Sequence, residues 1–177
     1  RCGGPGGGGS PFFSYVHHLD EPPRCGFDRV LALLHAHVCS AFPQAAYAKR
    51  AEWWAHCRPH ASGHQLHFDT EENALELEGK VLHPAVSSVC YLSGAGCGGP
   101  TVVFDQKVGD PAAERALISH PANDACLFFP GDRLHGVLPS TPQEDEPAEG
   151  ANEQHRLTLM VGYWTQDVAS IGERYPL

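Results

Sequence analysis

The sequence lacks any long apolar run. None of its 177 residues belongs to a stretch of about 18 consecutive apolar residues, the length that a membrane-spanning helix requires. Its opening residues also lack the apolar core of a secretory signal. We therefore expect no membrane span and no secretion signal. The chain does not begin with Met and contains only one, Met160, which we interpret as a sign of a piece taken from a longer protein.

Basic residues are scarce: 12 Lys and Arg stand against 21 Asp and Glu, for a formal net charge of −9. An acidic surface repels a phosphate backbone, which disfavours a nucleic-acid partner and argues against tight nonspecific binding of nucleic acid. Acidic residues are concentrated between 141 and 154 without a basic neighbour. They are Glu144, Asp145, Glu146, Glu149 and Glu153. We interpret this segment as a solvated loop, with a mobile lid as the alternative.

No CxxC pair occurs among the seven cysteines, and their number is odd. Both features favour free thiols over a disulfide framework or a zinc site. The pattern therefore favours an intracellular, reducing compartment. Cys39, Cys90 and Cys126 lie in apolar runs and are predicted to be small core residues.

A chain of this length is sufficient for one domain with a sizeable core. We interpret residues 1–11, which are rich in glycine, as a flexible tail and residues 12–177 as a single domain. Apolar residues recur every three or four positions from Phe27 to Phe42, which predicts a supporting helix that ends before Pro43. A second short helix is predicted from Ala45 to Glu52.

After Trp54 the pattern changes to short apolar runs separated by Gly and Pro, as in β-strands. The predicted strands span 63–69, 85–93, 100–105, 125–130, 133–139 and 156–164. Several short strands with tight turns between them predict an all-β barrel or sandwich, flanked here by the N-terminal helices.

The first of these strands contains a candidate metal-binding pair. Because side chains alternate along a strand, Gln65, His67 and Asp69 are predicted on one face and Leu66 and Phe68 on the opposite, core face. A histidine and a carboxylate two residues apart, completed by a distant histidine, form the set that binds non-haem Fe(II) with open coordination positions.

The third ligand is predicted to be His135, which follows the tight Pro-Gly-Asp turn and lies between apolar neighbours. A buried histidine in a strand can also be an ordinary hydrogen-bonded core residue. Its occurrence together with His67 and Asp69 favours the role of a ligand.

The last predicted strand begins with a charged residue. Alternation places Arg156, Thr158 and Met160 on one face, opposite Leu157 and its apolar neighbours. A buried guanidinium requires an anion to compensate its charge, and the Thr158 hydroxyl is a second donor to such an anion.

Six elements follow one another along the chain. They are His67-Phe68-Asp69, Tyr91-Leu92-Ser93, Gly98-Gly99-Pro100-Thr101, Leu127 to Gly131, His135, and Arg156-Leu157-Thr158. This ordered set, over residues 53–164, resembles the 2-oxoglutarate dioxygenase superfamily and is most similar to its prolyl 4-hydroxylase-like branch. Prolyl hydroxylases use Lys where this chain has Arg156.

The resemblance implies a double-stranded β-helix, or jelly roll, with the metal in the barrel mouth. His67, Asp69 and His135 would be the catalytic iron ligands. Arg156 and Thr158 would anchor the distal carboxylate of 2-oxoglutarate, and Tyr91 would line that pocket. The implied cofactors are Fe(II), 2-oxoglutarate and O2, with ascorbate as a further candidate, and the implied reaction is hydroxylation of a substrate.

The prime substrate and the oligomeric state are not determined by these motifs. A protein side chain is the first candidate substrate, a small molecule the second and a nucleobase the third. Gln65, on the ligand face, and Trp164, at the end of the last strand, are candidate substrate contacts, although Trp164 also suits the core.

Two alternatives to the dioxygenase are a noncatalytic binding or scaffold module within a larger chain or assembly, and a cupin-like metal enzyme that uses O2 without 2-oxoglutarate. The complete ligand set argues against the first. The second leaves Arg156 and Thr158 unexplained.

Overall fold

A computed structural model describes residues 14–59, 62–94, 99–139, 155–166, 168 and 172–176. The predicted tail at 1–11 and the acidic segment at 141–154 lie outside these ranges. The described strands are β1 (Tyr15–His18), β2 (Arg50–Pro59), β3 (His64–His67), β4 (Val86–Tyr91), β5 (Thr101–Phe104), β6 (Ala116–Ser119), β7 (Ala125–Pro130), β8 (His135–Val137), β9 (His155–Trp164) and β10 (Glu173–Arg174). The helices are α1 (Gly26–Ala41), a 3-10 turn (Pro43–Tyr47) and α2 (Glu72–Glu78).

The strands form two sheets. The larger has the order β10-β1-β2-β9-β4-β7 and the smaller the order β3-β8-β5-β6. Contacts join the sheets: the Tyr91 hydroxyl of the larger lies 2.7 Å from Thr101 Oγ1 of the smaller, and the rings of Phe129 and His135 are 4.8 Å apart. One face of the larger sheet therefore packs on the smaller sheet, as expected of a β-rich fold with two layers.

Helix α1 covers the other face of the larger sheet. Its buried residues Leu31 and Val38 belong to the same core cluster as Leu159, Val161 and Tyr163 of β9. The helix ends where the Phe42 N–H donates to the Val38 carbonyl and Pro43 follows. This confirms the predicted helix and the predicted apolar face of β9.

Helix α2 carries the chain from the end of β3 towards β4. The Glu71 side chain accepts hydrogen bonds from the backbone N–H groups of Asn73 and Ala74, which caps the helix start. Gly79, with φ of 63°, ends it in the left-handed conformation that favours glycine. No helix in the described ranges is both long enough and apolar enough to cross a membrane.

The second predicted helix is wrong. The stretch from Ala45 to Glu52 starts inside the 3-10 turn and ends inside β2, which pairs along its whole length with β9. Ten cross-strand pairs outweigh the helical propensity of the alanines in this stretch.

Two expectations about cysteines also need correction. Cys57 is disulfide-bonded, whereas Cys25, Cys39, Cys90 and Cys126 are free. The argument from free thiols for a reducing compartment is therefore lost. Cys90 is buried as predicted, but Cys39 is only half-buried and Cys126 is exposed.

Candidate metal site

Two histidines and one aspartate converge between the two sheets. His67 ends β3, His135 begins β8, and Asp69 follows β3 by two residues. The Nε2 atoms of His67 and His135 each lie 3.6 Å from Asp69 Oδ1, and one ligand atom from each residue lies within 4.8 Å of the others. These three residues can hold a metal ion.

An irregularity in the smaller sheet brings the two histidines side by side. His67 pairs with His135, but His64 pairs with Val137, so β3 contains one more residue than β8 over this interval. The extra residue makes a β-bulge, which redirects side chains. A Cβ on Gly136 would lie 2.8 Å from the His64 carbonyl oxygen, so the close approach of the two strands requires glycine at this position.

Because of the bulge, the predicted alternation of side chains along this strand is wrong. Strand β3 ends at His67, so Asp69 does not continue a regular strand face, and Leu66, predicted to be in the core, is 49% exposed. Gln65 is exposed beside the ligands, and its carbonyl oxygen accepts a hydrogen bond from His67.

Both histidines are held in the orientation that a metal ligand requires. His67 Nδ1 lies 3.0 Å from the Gln65 carbonyl oxygen, and His135 Nδ1 lies 2.9 Å from the Arg133 carbonyl oxygen. An Nδ1–H that donates to a carbonyl leaves the Nε2 lone pair of the neutral ring free. Both lone pairs then face the same carboxylate oxygen, an arrangement that a cation between them stabilises.

The Asp69 carboxylate is fixed from outside the cluster. The Ser87 hydroxyl donates to Asp69 Oδ2 at 2.6 Å, and His83 Nδ1 lies 2.6 Å from the Asp69 carbonyl oxygen. Burial acts to raise the pKa of Asp69, but the hydrogen bond from His67, the charge of His135 and the hydrogen bond from Ser87 outweigh it and hold the pKa below its usual value. The group is therefore a carboxylate at neutral pH.

The two imidazoles differ in their titration. Burial lowers the pKa of both rings, yet the hydrogen bond with Asp69 raises the pKa of His67 above its ordinary value, while the pKa of His135 stays below it. Two neutral imidazole nitrogens and one carboxylate form a donor set suited to a divalent transition metal with open positions.

The candidate anchor residues lie on the same inner face of the larger sheet. Thr158 of β9 is paired with Tyr91 of β4 on one side and with His56 of β2 on the other. Arg156 is 4% exposed, donates from Nη1 to the Gly99 carbonyl oxygen at 2.5 Å and is paired with Arg58. The structure therefore brings together a buried guanidinium and two hydroxyls on the face that the larger sheet turns towards the smaller one.

Trp164 is located in the core. Its side chain is 2% exposed, packs in a cluster with Val16 and Val168, and donates from Nε1 to Glu52 Oε2 at 3.0 Å. These contacts favour its core interpretation over the role of a substrate contact.

Two histidines that were not predicted as site residues, His56 and His64, lie next to the candidate ligands. The ring of His64 lies 4.9 Å from that of His67 and 5.7 Å from that of His56. Burial first, and then the positive charge of neighbours that include Arg58, lower the pKa of His56 and of His64 to about 4. The Gly-His pair at 63–64 gave no signal, because only the bulge turns His64 towards the site.

No protein-family model matches the sequence, and no curated protein matches it. The structure is similar to a crystal structure of a prolyl-4-hydroxylase from Pseudomonas putida, with a TM-score of 0.54 and 19% sequence identity over 82% of this chain and 71% of that chain. It is less similar to a crystal structure of CapF with the inhibitor 3-isopropenyl-tropolone, with a TM-score of 0.30 and 8% identity over 71% of this chain and 28% of that one. The first similarity shows a fold of the same β-rich kind.

Proposed function

We propose that this chain is an Fe(II)- and 2-oxoglutarate-dependent oxygenase that hydroxylates its substrate on a double-stranded β-helix. The observation that carries the proposal is the convergence of two Nε2 lone pairs and one carboxylate at 3.6 Å distances, with both ring orientations fixed by backbone carbonyls. The similarity in fold to a prolyl-4-hydroxylase supports it.

In this proposal His67, Asp69 and His135 hold the iron. Bound Fe(II) and 2-oxoglutarate supply the activation of O2 for oxidation of a C–H bond, with succinate and CO2 as the other products. The contribution of the protein is to fix the three ligands and to leave coordination positions open on the metal. Ser87 holds Asp69, and the Phe129 ring, 4.8 Å from the His135 ring, shields that ligand from water.

Arg156 is the proposed anchor for the distal carboxylate of 2-oxoglutarate. A guanidinium that is 4% exposed suits a carboxylate that binds through two parallel hydrogen bonds. Thr158 and Tyr91, which are neighbours on the same face, are the proposed hydroxyl partners. The Tyr91 hydroxyl donates to Thr101 Oγ1 at 2.7 Å, so in this role it exchanges that bond for one to the carboxylate.

The reaction provides the test. Purified protein supplied with Fe(II), ascorbate and 2-oxoglutarate in air is expected to form succinate slowly even without a prime substrate, and N-oxalylglycine is expected to inhibit this turnover. Asp69→Asn and His135→Ala are expected to remove it. Iron binding without any consumption of 2-oxoglutarate would favour the scaffold module, and O2 uptake independent of 2-oxoglutarate would favour the cupin-like enzyme.

The first candidate substrate is a protein side chain. In the wild type, a peptide or small molecule that is a true substrate is expected to accelerate succinate formation and to gain one oxygen atom, which mass spectrometry detects. A nucleic-acid substrate is disfavoured by the net charge of −9.

A further inference from the structure

A cluster of one guanidinium and two imidazoles lies beside the proposed metal ligands and is not used by the proposed metal or anchor roles. It consists of Arg58, His56 and His64. His56 and Arg58 are two residues apart on β2, so both project from the face that carries Thr158 and Arg156 on β9. The ring contacts from His56 to His64 and from His64 to His67 connect the cluster to the metal site.

The pairing of Arg58 with Arg156 is electrostatically unfavourable. Like charges directly opposite each other on neighbouring strands destabilise a sheet. Arg156 donates to the Gly99 carbonyl oxygen, whereas the half-buried Arg58 side chain has neither a hydrogen bond nor an ion pair among the described residues. Within this part of the chain, the Arg58 guanidinium therefore has no anionic partner.

Among the described residues, little negative charge lies near this cluster. After burial, the groups that act most strongly on His56 are Arg58, His64, Arg156 and His67, and all of them lower its pKa. Asp69 is the carboxylate that acts on His64, and it already faces His67 and His135. His56 and His64, whose pKa values are lowered to about 4, are neutral at neutral pH, so the positive charge belongs to Arg58 and Arg156. The Arg58 guanidinium beside neutral imidazole N–H donors suits an anionic ligand.

We propose that Arg58, together with His56 and His64, forms a subsite that binds a carboxylate of the prime substrate. This inference rests on the proposed function, in which the anchor at Arg156 is already filled by 2-oxoglutarate. A single guanidinium binds a planar carboxylate through two parallel hydrogen bonds, and imidazole N–H groups supply further donors at its edge. The carboxylate comes from either a free organic acid or an acidic side chain of a peptide.

The test uses protein loaded with Zn(II) and N-oxalylglycine, so that the metal and anchor positions are filled by diamagnetic, unreactive species. Tight binding of N-oxalylglycine is established first, and its failure would count against the proposed function itself. Propionate is then titrated while the imidazole signals of His56 and His64 are followed by NMR. Propionamide and inorganic phosphate are titrated in parallel.

Propionate is expected to shift both imidazole signals to saturation, while propionamide leaves them in place. Because a charge-assisted hydrogen bond is lost, Arg58→Gln is expected to raise the propionate concentration required by about tenfold or more. The propionate concentration that Arg58→Lys requires is expected to lie between those of the wild type and Arg58→Gln. Arg115→Gln, which removes a guanidinium that is 84% exposed and ion-paired with Asp105, is the matched control.

Three results would overturn the proposal: no difference between propionate and propionamide, tighter binding of phosphate than of propionate, or unchanged propionate binding in Arg58→Gln. Loss of N-oxalylglycine binding in a folded Arg58→Gln would also overturn it, because Arg58 would then belong to the cosubstrate anchor.

A peptide containing a single Glu, compared with propionate at equal concentration, separates the two sources of the carboxylate. Tighter binding of the peptide indicates an acidic side chain, and tighter binding of propionate indicates a free acid.

Discussion

The Ser87 hydroxyl donates a 2.6 Å hydrogen bond to Asp69 Oδ2, so that the other oxygen, Oδ1, is directed at His67 and His135. Ser87 belongs to β4 in the larger sheet, whereas both histidines belong to the smaller one. The orientation of the Asp69 carboxylate towards the two histidines therefore depends on contact between the sheets.

Removal of this hydroxyl is expected to weaken metal binding. Ser87→Ala leaves Asp69 Oδ2 without its donor, and loss of an outer hydrogen bond to a ligand typically lowers metal affinity by about 10- to 100-fold. Competition between the protein and a chelator for Co(II) measures this affinity. Ser88→Ala is the matched control, since Ser88 is also buried but donates to the Val161 carbonyl oxygen. Equal affinities for the two variants would contradict the role given to Ser87.

Glu52 makes stability depend on pH. Burial raises the pKa of its carboxyl above the ordinary 4.5, although hydrogen bonds from Ser14 and Trp164 oppose the shift. Between 4.5 and this higher value the folded state binds more protons than the unfolded state, so stability falls as pH rises through that window. One proton contributes a slope of at most about 1.4 kcal/mol per pH unit.

The side chain that Glu52→Gln introduces is neutral at every pH, so the stability of this variant is not expected to fall in that window. Urea unfolding of both proteins between acidic and neutral pH measures their free energies of unfolding. The variant's value minus the wild-type value should increase as pH rises and then level off. Glu76→Gln, at an exposed glutamate of α2, is the control. Parallel stability curves for wild type and Glu52→Gln would contradict the prediction.

Gly131 is required by the close approach of two backbone segments. A Cβ at this position would lie 2.9 Å from the Pro84 carbonyl carbon and closer still to its oxygen. Gly131→Ala is expected to reduce the free energy of unfolding by about 1–3 kcal/mol, because backbone has to shift. At Gly26 a Cβ has no heavy atom within 4 Å, so Gly26→Ala is the control and is expected to cost much less. Similar losses in the two variants by urea unfolding would refute this account.

The convergence of His67, Asp69 and His135 could be predicted from the sequence because their patterns are local. The spacing of His67 and Asp69, and the tight turn that precedes His135, are visible without any knowledge of the fold. Strand β7 was predicted with its observed bounds, 125–130, because an apolar run followed by a tight turn is a local signal for a strand.

Other features depend on contacts between distant segments. Strand β2 was assigned in part to a helix because pairing with β9, which the local sequence does not reveal, determines its conformation. The bulge in β3 left Leu66 exposed, against the prediction, and the bond from Ser87 to Asp69 requires knowledge of how the sheets pack. One extra residue in a strand reverses the faces of those that follow.

The most direct test of the central claim is the visible charge-transfer band of the anaerobic protein with Fe(II) and 2-oxoglutarate. We expect the wild type to form this band with one iron per chain, His67→Ala to lose it together with the iron, and Arg156→Gln to keep the iron but require a much higher 2-oxoglutarate concentration. A wild-type protein that binds no Fe(II), or that binds it and shows no band with 2-oxoglutarate, would contradict the account.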